Sequence, residues 1–379
     1  MRLSDEHVMI RDLIRNFTEK EIVPIADKMD REHYFPKEFF HKWGELGILG
    51  VTIPAEYDGA GHDPLSQVLI GEELAKGSAG IALTYLAHSN LCVHNLYKNG
   101  SEYLRTRYLS PLCRGTQIGA LALTEPGAGS DAVGIQTSAV SEGDHYRLNG
   151  TKMFITNGPI ADVIIVYTKT DKTKGAHGIT AFVVESGYKG FSVSKKLEKM
   201  GCNSSPTGEL VMEDCLVPSR NILGKVNEGV SVMMSGLDTE RVVVAAVSLG
   251  IAEAAFEASI KYAKERVQFG RSISQFQLIQ AKLADMYTGI EAARLMIYDT
   301  AKRSLDEHKL RKESAAAVLF AAEMATKTCL EAIQIHGGYG YMLEYPVNRY
   351  LRDAKIMEIG AGTSEIRRLL IAREILASN

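Results

Sequence analysis

The sequence predicts an α+β protein in three successive parts: a helical domain over residues 1–117, a β domain over 118–225 and a helical bundle over 226–379. Three observations lead there. Apolar residues recur at helical spacing through the first part, with only short Gly/Pro-rich breaks. Near Ile118 the texture changes to short β-rich runs bounded by turn residues, and this lasts to about Gly224. From about Ser231 the helical pattern returns, and a helical, then β, then helical order reads as three domains.

In the first part, Ile53 to Gly61 is a Pro/Gly break between two helical segments, and Trp43, the only tryptophan, is expected in the core. In the second part, strands are expected over Tyr146–Leu148, Met153–Thr156, Val163–Thr168, Ile179–Val184 and Glu209–Met212. Asn149-Gly150 stands between the first two of these and predicts a tight hairpin turn. In the third part, Phe276, Ile279, Leu283, Met286, Ile290, Ala293 and Ile297 form one apolar stripe. Val318, Ala322, Ala325, Cys329 and Ala332 repeat the step with small residues, as close helix packing in a four-helix bundle requires.

Composition narrows the function. With 379 residues, 45% hydrophobic and 23% charged, the chain can bury a large core. Its net charge of −3 gives no electrostatic reason to expect nucleic acid or an anionic membrane as partner. The five cysteines are scattered without a Cys-x-x-Cys pair, so neither structural zinc, nor any other metal, nor a disulfide framework is expected. No run of about 18 apolar residues stands out as a membrane span. Met1 to Arg11 already alternates charged and apolar residues like a helix, and a cytoplasmic location without a leader is the expectation.

Several motifs carry chemistry. Thr124-Glu125-Pro126-Gly127-Ala128-Gly129-Ser130-Asp131 follows the apolar run Ile118–Leu123 and offers approachable backbone N–H groups and hydroxyls. It is not the dinucleotide fingerprint, whose third glycine and following helix it lacks, and on spacing alone a turn leaving a strand is the simpler account. Arg266-Val267-Gln268-Phe269-Gly270 ends a helical pattern, where an arginine ordinarily serves the helix dipole. Gln334-Ile335-His336-Gly337-Gly338-Tyr339-Gly340 reads first as a helix C-cap, and His336 as structural. Thr363-Ser364-Glu365 begins the last helix, whose N-terminus can receive anionic oxygens. Leu237-Asp238-Thr239-Glu240-Arg241 opens the apolar helix Val242–Lys264, and acids near a helix N-terminus are the ordinary account of it.

Taken in order, these segments resemble the acyl-CoA dehydrogenase family over essentially the whole chain. The resemblance implies FAD as cofactor, with Leu123, Thr124 and Gly129 lining the flavin and Ser130 meeting both flavin and thioester. Phe154, Ile155 and Thr156 match the strand along the isoalloxazine, where many relatives have tryptophan in place of Phe154. Arg266 matches the arginine that pairs with the FAD pyrophosphate of a neighbouring subunit, a pairing suited to guanidinium geometry. Gln277, Gln334, Gly337 and Gly338 match further FAD contacts, as do Thr363, Ser364 and Glu365. A homotetramer, an acyl-CoA substrate and electron-transfer flavoprotein as electron acceptor are implied as well. A flavin oxidase or monooxygenase on the same fold, and a non-catalytic acyl-CoA-binding relative, are the alternatives.

The catalytic base decides the branch. Most relatives carry a glutamate where this chain has Ala361, within Glu358-Ile359-Gly360-Ala361-Gly362-Thr363-Ser364-Glu365. The isovaleryl-CoA branch instead has Leu-Asp-x-Glu-Arg on the long helix, and this chain matches both halves of that exchange. The resemblance therefore assigns the base to Glu240, with Asp238 and Arg241 flanking the pantetheine. Glu358 and Glu365 are rival carboxylates. Gly360 and Ala361 are small, which leaves volume for a branched or alicyclic acyl group such as isovaleryl; isobutyryl, 2-methylbutyryl, butyryl and cyclohexanecarboxyl groups are the other candidates. Asn203 departs from the family's usual arginine, and Ser231 from a tyrosine of the branch.

Overall fold

A computed structural model describes residues 3–306 and 310–377, without the side chains of 237–239. The N-terminal helices are α1 (Asp5–Phe17), α2 (Ala26–Arg31), α3 (Phe39–Glu45), α4 (Pro64–Gly77), α5 (Ala79–Leu86), α6 (Asn95–Asn99) and α7 (Glu102–Cys113). Local chemistry starts several of them. The side chains of Ser4, Asp63 and Ser101 accept a backbone N–H in the first turns of α1, α4 and α7, and Pro64 occupies the first position of α4. Trp43 is fully buried and packs against Phe35, Phe39, Phe40 and Tyr85.

The middle strands are β1 (Gly119–Ala122), β2 (Ser138–Glu142), β3 (His145–Thr156), β4 (Val163–Lys169), β5 (Ile179–Glu185), β6 (Phe191–Lys196), β7 (Thr207–Pro218) and β8 (Ile222–Leu223). They form one sheet in the order β6-β7-β3-β2-β4-β5-β8, with β1 parallel to β4. The expected hairpin at Asn149-Gly150 is absent, because both residues lie inside β3. The turn is instead at Gly143 (φ +64°), between β2 and β3. At Gly150 the register against β7 shifts by a bulge, and a Cβ there would collide with Thr137. The glycine thus serves the close approach of the segment leading into β2, which a turn-forming dipeptide cannot reveal locally.

The C-terminal part holds α8 (Gly229–Glu265), the short pair β9 (Val267–Gln268) and β10 (Arg271–Ser272), α9 (Gln277–Arg303), α10 (Arg311–His336), α11 (Val347–Met357) and α12 (Ser364–Ala377). α8 begins well before the segment expected to open it. Glu240 therefore stands in its fourth turn, and acids at a helix N-terminus do not explain it. The absence of a membrane-length apolar run also needs correction: Glu240–Glu265 is long and apolar enough by composition, with 67% of that window buried in the protein. α8 packs on α4, α9, α10 and α11, as the core helix of a bundle does. Across its contact with α4, Tyr298 Oη of α9 donates to the buried Glu72 at 2.7 Å, tying the helical parts together.

Candidate active site

The loop after β1 is fixed from below by a buried ion pair. Lys152 of β3 is fully buried and donates to Glu125 at 2.8 Å and to the Leu123 carbonyl at 3.0 Å. Glu125 also accepts the backbone N–H groups of Gln136 and Thr137. Burial acts to raise the Glu125 carboxyl, but Lys152 and these donors outweigh it and hold it below its usual range. Thr124 is joined to β3 by the Met153 N–H at 2.8 Å. The next residue, Phe154, sits at a second bulge with φ +62° and is 66% exposed. The structure thus brings Leu123, Thr124 and Phe154–Thr156 together, with Gly129 and Ser130 exposed on the loop above.

A second group gathers at the far end of the bundle. Arg266, Gln277, Gly337 and Gly338 line one cleft of about 1160 Å³, together with Phe269, Phe276 and Tyr339. Arg266 lies over the Tyr339 ring at 5.5 Å and pairs with no carboxylate among the described residues. Gln334 is exposed one turn before the cleft. Gly337 caps α10 with φ +60°, so the cap account and the cleft are compatible. His336 stacks on Tyr262 at 4.2 Å and bonds the Ala332 carbonyl, a structural arrangement.

The third group surrounds Glu240. Its carboxylate makes no hydrogen bond among the described residues and keeps partial exposure to solvent. Burial pushes it up to about 7, against the lowering pull of Arg241 and Arg367. α6 is tied to α8 just before it, with Asn99 Nδ2 donating to Ser235 Oγ at 2.9 Å and Lys98 to the Ser235 carbonyl. Buried Tyr167 on β4 feels the Glu240 charge, and Leu123 packs on the same apolar cluster as Tyr167, Val232 and Met233. The loop and the helix therefore share a floor.

The rival acids are committed elsewhere. Glu358 accepts from Lys355 at 2.7 Å and from Thr326, and these outweigh burial to hold its carboxyl low. Exposed Glu365 is held low by its own backbone N–H and by Thr363. Ala361 is in a left-handed turn (φ +53°), and the side chain of Asp238 lies outside the described residues. Asn203 donates to Asp30 at 2.9 Å, and Arg352 of α11 binds the same carboxylate, so a guanidinium reaches this corner from α11. Ser231 is exposed in the first turn of α8. Sequence reasoning missed Lys152, Tyr167 and Arg367, whose partners are far away along the chain.

These residues fit a flavin dinucleotide on three observations. Ser364 Oγ, at the start of α12, is buried without a hydrogen-bond partner. Cβ atoms added at Gly129, Gly337 and Gly338 would meet nothing within 4 Å, leaving open approaches to the backbone. Phe154 presents an aromatic face to solvent on strained backbone.

The three-part build and this site define the class as an oxidoreductase acting on acyl thioesters. The chain belongs to the acyl-CoA dehydrogenase family: the models of that family's N-terminal, middle and C-terminal domains match residues 4–116, 120–215 and 227–376. It is 48% identical over 375 residues to mitochondrial isovaleryl-CoA dehydrogenase of Pongo abelii, covering 98% of this chain and 89% of that one. Among solved structures it is similar to butyryl-CoA dehydrogenase from Megasphaera elsdenii (43% identity, TM-score 0.97, 99% of both chains). It is also similar to a chain in a structure described as the electron transferring flavoprotein of Acidaminococcus fermentans (45%, TM-score 0.98, 100% of both chains).

Proposed function

We propose that this chain dehydrogenates a short branched acyl-CoA, isovaleryl-CoA above all, at the α,β bond, with Glu240 as the base. One observation carries the reading: Glu240 is a carboxylate without a hydrogen-bond partner among the described residues, pushed up to about 7, while Ala361 offers no acid. A base with its pKa near the working pH takes a proton most effectively. The Cα–H bond breaks with its proton going to a Glu240 oxygen, the Cβ–H bond breaks with its electron pair, and a Cα=Cβ bond forms. FAD, when bound, supplies the acceptor for that hydride. Leu123, Thr124, Gly129, Ser130, Phe154, Ile155, Thr156, Thr363, Ser364 and Glu365 would hold the flavin end. Arg266, Gln277, Gln334, Gly337 and Gly338 would hold the phosphates and adenosine of a neighbouring copy's cofactor.

Ser130, Asp238 and Arg241 complete the proposed substrate contacts. Gly360 supports the branched acyl group, because a Cβ there would meet only Ile356 atoms, at 3.4 and 3.9 Å. The resemblance to the Acidaminococcus chain supports electron-transfer flavoprotein as the acceptor. The exposed Phe269, Leu278 and Tyr341 at the cleft end, each at least 80% accessible, support a homotetramer.

The test is anaerobic flavin bleaching. Glu240→Gln should bind acyl-CoA and stay yellow, losing on the order of a thousandfold or more in reduction rate. Isovaleryl-CoA should bleach the wild type faster than butyryl-CoA. The reverse order would favour butyryl-CoA, the reading that the Megasphaera enzyme supports.

A further inference from the structure

Arg367 on α12 is 1% exposed, and its two terminal nitrogens donate to the carbonyls of Met357 (2.8 Å) and Gly360 (2.7 Å). Its Nε is buried without a partner, and no carboxylate lies within ion-pair distance among the described residues. A guanidinium held this way is costly, since burial of charge is normally offset by direct pairing. Burial and the repulsion of Arg241 indeed push its own pKa down to about 10. The two carbonyls bracket the turn that brings in Ala361 at φ +53°, so Arg367 closes that turn from inside. Thr363 and Glu365, close by in sequence, are occupied with the α12 cap.

We propose that Arg367 is a positioning residue, which holds the 357–362 turn by its backbone and sets a positive charge, bonded to carbonyls rather than to a carboxylate, within electrostatic reach of Glu240. The inference rests on Glu240 as the base. It goes further in giving the turn that holds Ala361 a second role, that of anchoring a cation that favours the carboxylate form of Glu240. Among the described residues the charged and titratable groups around Glu240 are Arg241 on its own helix, Arg367 on α12 and Tyr167 on β4. Around Arg367 they are Arg241, Glu323 on α10, Glu358 after α11, and Glu240. Both cations favour the carboxylate form of Glu240, so removing one raises its pKa. Because the base works deprotonated, the acid limb of the rate must then move to higher pH.

The experiment uses FAD-loaded Arg367→Gln, Arg367→Lys and Glu240→Gln, following the pH dependence of anaerobic flavin reduction by isovaleryl-CoA. The Glu240 carboxyl is titrated in parallel in flavin-free protein, by infrared difference against Glu240→Gln. Arg367→Gln should move the acid limb and the infrared titration upward together by about one pH unit. Arg367→Lys keeps the charge and loses the fork, so the limb should stay near the wild-type pH while KM rises. If Arg367→Gln does not fold, the lysine variant decides alone, and a limb displaced in it counts against the proposal. An unmoved limb with a uniformly slower rate, beside an inactive Glu240→Gln, would overturn the role of Arg367 only. Full reduction by Glu240→Gln would overturn the base assignment and this inference with it.

Discussion

Glu125 and Glu240 are both crowded carboxylates, and the protein treats them in opposite ways. Glu125 has a buried lysine and two backbone N–H groups, so it is held ionised below its usual range. Glu240 has two arginines near it and no hydrogen bond among the described residues, so burial wins and it rises to about 7. The first arrangement fixes a loop, because every lone pair it uses is committed to a backbone or a lysine. The second leaves lone pairs open and a proton that can move near neutral pH. Saturation of the lone pairs separates a structural acid from a chemical one more clearly than burial does.

The comparison can be broken at Lys152. Lys152→Met leaves Glu125 buried without its cation and should destabilise the protein by about 3–5 kcal/mol at pH 7. A depressed carboxyl contributes stability above its unfolded pKa, here about 4.5, that is lost as pH falls through the lower folded value, so the gap between wild type and variant should narrow as pH falls below about 4.5. Melting curves across that range check both parts. An unchanged melting temperature would show that Glu125 needs only the backbone donors.

A smaller effect of opposite sign is expected at the other acid. The folded pKa of Glu240 is raised, so the native state binds the extra proton between about 4.5 and 7 and loses stability as pH rises through that window. Glu240→Gln should therefore stabilise flavin-free protein at pH 8 by about 2 kcal/mol, after allowance for its partial exposure, and by almost nothing at pH 4.5. Denaturation at the two pH values measures it. The smallest effect belongs to Ala361→Gly. It removes the cost of a left-handed alanine but adds chain entropy, for a net gain under about 1 kcal/mol in melting experiments.

Much of the fold was legible because its signals are local. The stripe from Met286 to Ile297 and the small-residue face from Val318 to Ala332 are buried where the spacing places them. The failures come from interactions that the local sequence does not contain. Gly150 looked like a turn because its reason, the closeness of Thr137, belongs to the segment that leads into β2. The first turns of α8, Gly229 to Gly236, hold two glycines and two serines, and the sequence opens the long helix only at Val242, yet packing makes these turns part of it. In the site, the motif residues could be named from the resemblance, and their supports could not. Lys152 meets Glu125 across 27 positions, and Arg367 and Glu240 come within electrostatic reach only in the folded chain.

α8 has one more consequence. Glu240 and Arg266 stand on one unbroken helix and its cap, about 39 Å apart at the helical rise per residue. That span exceeds an extended flavin dinucleotide, so no single cofactor can meet both ends. The helix acts as a ruler: in the proposed arrangement each copy keeps its base and lends its arginine to another. Mixing chains that carry Glu240→Gln with chains that carry Arg266→Gln should then restore some sites that neither parent has.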